Sequence, residues 1–201
     1  HLGKTARVID NLGPAGSPGA FSALAIAEND IPHVFDAQTI AETDGLKVPP
    51  AKGRSDMRAL PFVTIDGADA RDFDDAVLAT PLEGGGWEIR VAIADVSHYV
   101  RPGSALDAEA WKRGNSVYLP DRVVPMLPEA LSNDLCSLRP NEPRAAMVAI
   151  ITMDEDGDVT SHSFERALIR SAARLTYDKV QAWHEGGITA GELQLDEAIL
   201  T

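Results

Sequence analysis

Apolar and polar residues alternate most regularly from Trp87 to Val96, where Trp87, Ile89, Val91 and Ile93 share one face. This stretch is predicted to be a half-buried strand. Two shorter apolar runs precede it, Phe62–Ile65 and Ala76–Thr80, and Glu83-Gly84-Gly85-Gly86 supplies a turn into Trp87. Farther on, Ala145–Met153 and Val159–Arg170 read as a hairpin around Glu155-Asp156-Gly157. Near the start, ARVIDNLG, Ala6–Gly13, reads as one short strand and a turn.

Helical spacing is weaker. Ser17-Pro18 predicts a helix with proline in its first turn and Phe21, Leu24 and Ala25 on its apolar face, a short stripe because Glu28 falls next on it. Asp36 predicts the cap of a second helix over Ala37–Thr43, stopped by Gly45. Ser104 and Asp107 form a capping pair for a helix over Ala105–Arg113, and Thr176 opens another near Tyr177–Trp183. Trp87 and Trp111 lie on these amphipathic elements and are expected in the core. Val48–Asp56 reads as a connector, and residues 114–144, rich in Pro, Asn and Asp, read as long loops, where function concentrates. The elements predict an α+β fold with a mixed, mostly antiparallel sheet and flanking helices.

Composition changes this picture little. At 44% hydrophobic and 24% charged residues over 201 positions, the chain suits one domain, or one and a fraction. No apolar run approaches the roughly 18 residues of a membrane span, and the first residues do not show the charged-then-apolar pattern expected of a signal peptide. A single cysteine, Cys136, forbids an internal disulfide and points to the cytoplasm. His1 at the start and the helical GELQLDEAIL at the end read as cuts in a longer protein. The net charge of −13 argues against non-specific nucleic-acid binding, because phosphate is neutralised by Lys and Arg. The exception is a site where clustered carboxylates hold metal ions that meet the phosphate.

Such a cluster is present. Five aspartates, Asp66, Asp69, Asp72, Asp74 and Asp75, fall within ten residues. Like charges this close repel, and a folded chain tolerates them when a cation neutralises them. Hard cations such as Mg²⁺ take oxygen ligands, few of them from protein, and a pair of them can activate water and stabilise the leaving oxygen of a phosphodiester. Asp66 closes a predicted strand, Gly67 lets the chain turn, and Asp72 and Asp74 return on one side with Asp75 on the other. Arg71, between them, is expected to contact phosphate or to relieve the repulsion. The bland alternative is a solvated acidic loop.

The segment LPFVTIDGADARDFDDAV resembles the signature of the RNB catalytic domain of the ribonuclease II/ribonuclease R family of exoribonucleases. Its Asp-x5-Asp-x-Asp-Asp pattern is met by Asp66, Asp72, Asp74 and Asp75. The similarity continues through WEIRVAIADVSHYVRPGSALDAEAWKRGNSVYLP, VVPMLPEALSNDLCSLRP and RLTYDKV, and is closer to the ribonuclease R branch. The resemblance implies processive 3′-to-5′ hydrolysis of single-stranded RNA, with release of nucleoside 5′-monophosphates and Mg²⁺ as cofactor, Mn²⁺ being a possible substitute. It implies metal-ligand roles for Asp66, Asp72, Asp74 and Asp75 and catalytic roles for Asp74 and Asp72, with Asp74 closest to the chemical step. Tyr118, in GNSVY, corresponds to an aromatic that stacks on a base near the 3′ end. Asp69 lies outside the pattern and is expected at the surface. Residues 1–14 resemble the end of a preceding cold-shock-like OB-fold domain, and 15–201 the N-terminal portion of the catalytic domain. The family's later stacking Phe, Glu and phosphate-stabilising Arg have no counterpart here, so hydrolysis is expected of the parent protein rather than of this stretch alone.

Other residues carry blander expectations. Asp154, Asp156, Asp158 and Glu165 have calcium-loop spacing, but Val159 stands where that loop needs glycine, so a hairpin turn is expected. Cys136, between leucines, reads as core. Asp95 reads as a structural acceptor and His98 as structural. Arg122 and Arg139 fit phosphate contact and surface solubility equally well. Two rivals remain: a family member that binds RNA without cutting it, and a different metal phosphohydrolase. Four retained, mutually repelling carboxylates favour the nuclease over the first, and the long ordered match argues against the second.

Overall fold

In the computed structural model, residues 16–193 are described together with Val8, Asn11, Gly13 and Pro14. The expected opening strand, most of the OB-fold end and the expected C-terminal helix lie outside the described residues. In chain order the elements are α1 (Pro18–Glu28), α2 (Ala37–Ala41), β1 (Ser55–Asp56), β2 (Val63–Asp66), β3 (Asp75–Pro81), β4 (Trp87–Ala94), α3 (Val96–Tyr99) and α4 (Ala105–Arg113). They continue with β5 (Val117–Leu119), β6 (Arg122–Val124), a π-helical turn at Leu131–Leu135, β7 (Pro143–Met153), β8 (Val159–Arg170), β9 (Ala173–Thr176) and α5 (Tyr177–His184). The chain divides into two compact units, one of residues 1–42 with 103–128, the other of 43–102 with 129–201.

The second unit is built on a seven-stranded sheet in the order β1-β8-β7-β4-β3-β2-β9. The two outermost pairings, β1 with β8 and β2 with β9, are parallel, and the others are antiparallel. The mixed, mostly antiparallel sheet is the one expected from the sequence. Both edge strands were unforeseen: two residues of the connector form β1, and Ala173–Thr176 adds beside β2. Strands this short carry no period of their own and exist because a longer neighbour offers its free edge. Phe62, Ala92, Ala145, Ala146, Val148, Ala167 and Ile169 are buried in this unit. The β4 face predicted to be covered is not uniformly so. Ala92 and Ala94 are buried on one side, whereas Trp87 and Ile93 on the other remain exposed.

The other unit holds α1, α2, α4 and the hairpin β5–β6. Each helix has the cap its sequence predicts: Ser17 Oγ accepts from Ala20 N at 3.2 Å, Asp36 Oδ1 from Thr39 N at 2.7 Å, and Ser104 Oγ from Asp107 N at 3.1 Å. Glu42 adds a second cap to α4, its two oxygens accepting from Ala105 N and Leu106 N at 2.9 Å each. The apolar face of α1 is corrected. Ser22 and Ile26 are buried while Phe21 and Leu24 are exposed, since the Phe21 face would have carried Glu28 inward. Trp111 is corrected too, at 90% exposure. On α4 the buried face carries Leu106 and Glu109, with the Arg113 guanidinium 3.6 Å from the Phe35 ring centre, and Trp111 points away from that face. Residues 114–144 are not simply loops. Val117–Leu119 pairs with Arg122–Val124 across a Pro120-Asp121 turn, so Tyr118 lies in a strand. Among the described residues no helix is long and apolar enough to cross a membrane.

Gly86, in the β3–β4 turn, has φ +81, and a Cβ there would stand 2.2 Å from the Met153 carbonyl oxygen and 2.8 Å from the Asp154 backbone. Gly86→Ala is therefore expected to lower stability by on the order of 1–3 kcal/mol through backbone strain, with the clash added. Urea unfolding of the two proteins measures this, and equal midpoints would mean the turn repacks freely.

Candidate active site

Asp66 closes β2 opposite Thr176 of β9, and Asp75 opens β3 opposite Ile93 of β4. The intervening loop, 67–74, turns without needing a left-handed glycine, because Gly67 is not among the positive-φ residues. Three segments of the chain hold it from outside. Arg174 of β9 donates through Nη2 to the carbonyls of Gly67 at 3.3 Å, Ala68 at 2.6 Å and Ala70 at 3.3 Å. Its guanidinium also lies 4.9 Å from the centre of the Phe73 ring. Ser137 Oγ accepts from Phe73 N at 3.2 Å and donates to Arg71 O at 3.1 Å. Leu138 N donates to Phe73 O at 2.7 Å, and Ala94 N to Asp74 O at 2.8 Å. Phe73 is buried, whereas its neighbours Asp72 and Asp74 are half-buried and exposed, the alternation expected of them.

The carboxylates feel one another. Burial pushes the Asp66 carboxyl above its ordinary pKa, the charges of Asp75, Asp74 and Asp72 add to this, and Arg174 opposes it. Asp74 is also raised, by partial desolvation of its carboxylate and by Asp75 and Asp72. Asp66 Oδ2 is buried without a hydrogen-bond partner. An orphaned carboxylate oxygen among other carboxylates is costly and fits a missing cation, for which this is a hard-oxygen donor set. Among the described residues, however, no three His, Cys, Asp or Glu side chains already converge on one metal position. The fit is thus to an ion that takes few protein ligands and draws the rest from water and phosphate. Asp69 and Arg71 are exposed. Beside the loop, Asp75 and Ile65 line a cavity of about 630 Å³ with Tyr177, Asp178 and Gln181 of α5.

Tyr118 belongs to the other unit, on β5 opposite Val123, and is 63% exposed, which rules out a core tyrosine. Four residues escaped the sequence reading: Arg174, Ser137, Leu138 and Tyr177. All lie in the similar segments RLTYDKV and DLCSLRP, but nothing local marks a residue whose partner is 66 or 107 positions away. Asp95 is the structural acceptor expected of it. It is 1% exposed and accepts from Arg54 at 2.6 Å, Ser97 at 2.8 Å and Arg166 at 3.0 Å. Burial opposes its charge, but these bonds and the two arginines hold its carboxyl below the usual range. Burial pushes the Cys136 thiol up to about 12, so it is inert core. Asp154 Oδ1 is occupied by Asp156 N at 3.1 Å and Asp158 N at 2.9 Å, a hairpin turn. Arg122 pairs with Asp121, and Arg139 with Asp134 and Glu142.

Residues 54–200 match the family described as RNB domain. Ribonuclease R of Vibrio cholerae is 51% identical over 190 residues, covering 92% of this chain and 23% of that protein. The chain thus spans about a quarter of that relative's length. Mycoplasma genitalium RNase R in complex with ribose-methylated single-stranded RNA superposes with a TM-score of 0.86 at 34% identity, covering 94% of this chain and 30% of that one. Its complex with double-stranded RNA gives a TM-score of 0.87 at the same identity, covering 94% and 34%.

The raised carboxyls set a sign for stability. The folded chain binds protons at Asp66 and Asp74 more tightly than the unfolded chain does. Each group therefore weakens the fold above its raised pKa, and this cost disappears below the unfolded value of about 3.9. Asp66→Asn is expected to raise the thermal midpoint of metal-free protein at pH 7 and to lose that advantage near pH 3. Melting curves across this range check it, and a lowered midpoint at pH 7 would show that the carboxylate is a structural anchor.

Proposed function

Since the chain belongs to the RNB domain family, we propose that it carries the metal-binding loop of an exoribonuclease that hydrolyses single-stranded RNA from the 3′ end and releases nucleoside 5′-monophosphates. The observation that carries this reading is Asp66 Oδ2, buried without a partner within the mutual field of Asp72, Asp74 and Asp75. Asp66 and Asp75 would hold Mg²⁺, or Mn²⁺ in its place, with Asp72 and Asp74 completing the acidic set. When bound, the ion neutralises the carboxylates and withdraws charge from the scissile phosphate. Asp74, exposed and with its carboxyl raised, orients the attacking water and holds the proton it releases. The water oxygen bonds to phosphorus, the bond from phosphorus to the 3′ oxygen breaks, and that oxygen takes a proton from solvent.

The other assignments follow from exposure and chemistry. Arg71 is exposed at the surface of the loop, and its guanidinium is suited to a backbone phosphate. Tyr118 presents an exposed ring on which any base can stack. The net charge of −13 leaves the strand's remaining phosphates to be neutralised by cations and by protein outside this stretch. The single-stranded RNA complex of the Mycoplasma genitalium relative supports RNA as the partner. A cytoplasmic setting goes with such a substrate and with one unpaired cysteine.

Two experiments on the full-length protein test this. Asp74→Asn is expected to cut the rate of hydrolysis by roughly a thousandfold or more, a loss of several kcal/mol of transition-state stabilisation, while RNA affinity stays within about twofold. Single-turnover kinetics with filter binding read both, and parallel loss of binding and turnover would show that Asp74 supports the fold instead. Tyr118→Ala removes one base stack worth about 1–3 kcal/mol. It is expected to lengthen the final product without stopping degradation of long RNA. An unaltered product ladder on a denaturing gel would defeat the stacking assignment.

A further inference from the structure

Arg174 sits next to the acidic loop without forming an ion pair to any carboxylate among the described residues. This is unusual for an arginine in an acidic neighbourhood, since a bidentate pair to a carboxylate is its strongest available contact. Its Nη2 is instead committed to three carbonyls of one turn, Gly67, Ala68 and Ala70. Its Cζ lies 4.9 Å from the ring centre of Phe73, the buried residue between Asp72 and Asp74, and its Nε is buried without a partner. The strand register explains why it stops short. Arg174 lies opposite Thr64 and Asp66 opposite Thr176, so the arginine is two residues back from the carboxylate along the paired strands. From there its charge acts on Asp66 through space and leaves Oδ2 open.

We infer that Arg174 is a positioning residue: its guanidinium clamps the 67–70 turn and Phe73 from the neighbouring strand, so that Asp66 and the Asp72–Asp75 set are held together for a metal ion without being occupied by a cation of the protein's own. This rests on the nuclease reading above. Two properties of arginine serve the role. Its Nη2 reaches three carbonyls at once, and its charge offsets part of the repulsion among the aspartates. A lysine in its place keeps the charge but loses the guanidinium beside Phe73, and a glutamine keeps a donor but loses the charge. Arg174 does not need to touch RNA for this role, since its Nη2 is already engaged by the three carbonyls.

The test uses the full-length protein and Mn²⁺ alone as probe, with free Mn²⁺ followed by electron paramagnetic resonance. Partners that orient metal ligands typically change metal affinity by about 10- to 100-fold when removed, and Arg174→Ala is expected to raise the half-saturating Mn²⁺ concentration by that much. RNA affinity in metal-free buffer is expected to stay unchanged, Arg174→Lys to recover part of the Mn²⁺ affinity, and high Mg²⁺ to restore part of the turnover. A merely structural arginine would lower the melting temperature and leave Mn²⁺ half-saturation where it was. The double variant Asp66→Asn, Asp75→Asn separates the two claims. If it binds Mn²⁺ as the wild type does, the metal reading fails and this inference falls with it. If it loses Mn²⁺ while Arg174→Ala and Arg174→Lys both bind normally, the nuclease reading stands and the role of Arg174 is overturned. Should Arg174→Ala fail to fold, Arg174→Gln decides: folded with weakened Mn²⁺ binding supports the inference, and folded with wild-type binding overturns it.

Discussion

Mutual repulsion among Asp66, Asp72, Asp74 and Asp75 is the constraint around which the larger unit is arranged. Two unit charges a few ångströms apart near a protein surface interact by a few kcal/mol, and burial around Asp66 and Asp74 raises the cost further. A free loop would relieve this by swinging the carboxylates into water. Here it is restrained at Gly67, Ala68 and Ala70 by Arg174, at Arg71 and Phe73 by Ser137 and Leu138, and at Asp74 by Ala94. Each such bond contributes on the order of 1 kcal/mol net. Only several together hold a conformation that charge alone would disperse.

Those anchors must themselves be fixed, and the sheet does this. Arg174 is placed by the parallel pairing of β9 with β2, and Ala94 by the antiparallel pairing of β4 with β3 and β7. Ser137 and Leu138 follow the π-helical turn. The buried Arg144 holds that segment, donating to Asp134 O at 3.0 Å, Ser137 O at 2.9 Å and Asp134 Oδ1 at 2.8 Å. Just past Ala94, Asp95 is locked by Arg54 and Arg166 and by its own amide to Ala145 O at 3.0 Å. Removing one partner from so buried a group would leave an uncompensated charge, which ties the end of β4 closely to its place. Stability is given up at the acidic loop and recovered around it, a common pattern where function needs an unfavourable arrangement.

The acidic loop, the mixed sheet, the β7–β8 hairpin and the three capped helices α1, α2 and α4 were legible because each is written in a short span of sequence. A capping serine and the amide that donates to it are three residues apart, and a strand's period is two. Four of the misread positions share one cause. Phe21, Leu24, Trp87 and Trp111 are apolar residues on amphipathic elements, and a periodic pattern does not say which face finds a neighbour. The β5–β6 hairpin was obscured by the prolines and aspartates around it, since turn formers in a segment and loops in a segment look alike until the strands pair.

By itself, then, the sequence determined which side chains could do chemistry: it set the oxygen donors, their spacing, and the absence of a second cysteine, because ligand type and local spacing are properties of the covalent chain. Tertiary structure decided which of those groups would be held in one place and left unsatisfied. Arg174 reaches the carbonyl of Gly67 across 107 residues and Ser137 that of Arg71 across 66. Whether Asp66 is neutralised by an arginine or kept open depends on a strand register that places the guanidinium beside the turn and short of the carboxylate. Contacts over such separations form only once the sheet has assembled, and no local pattern of residues encodes them.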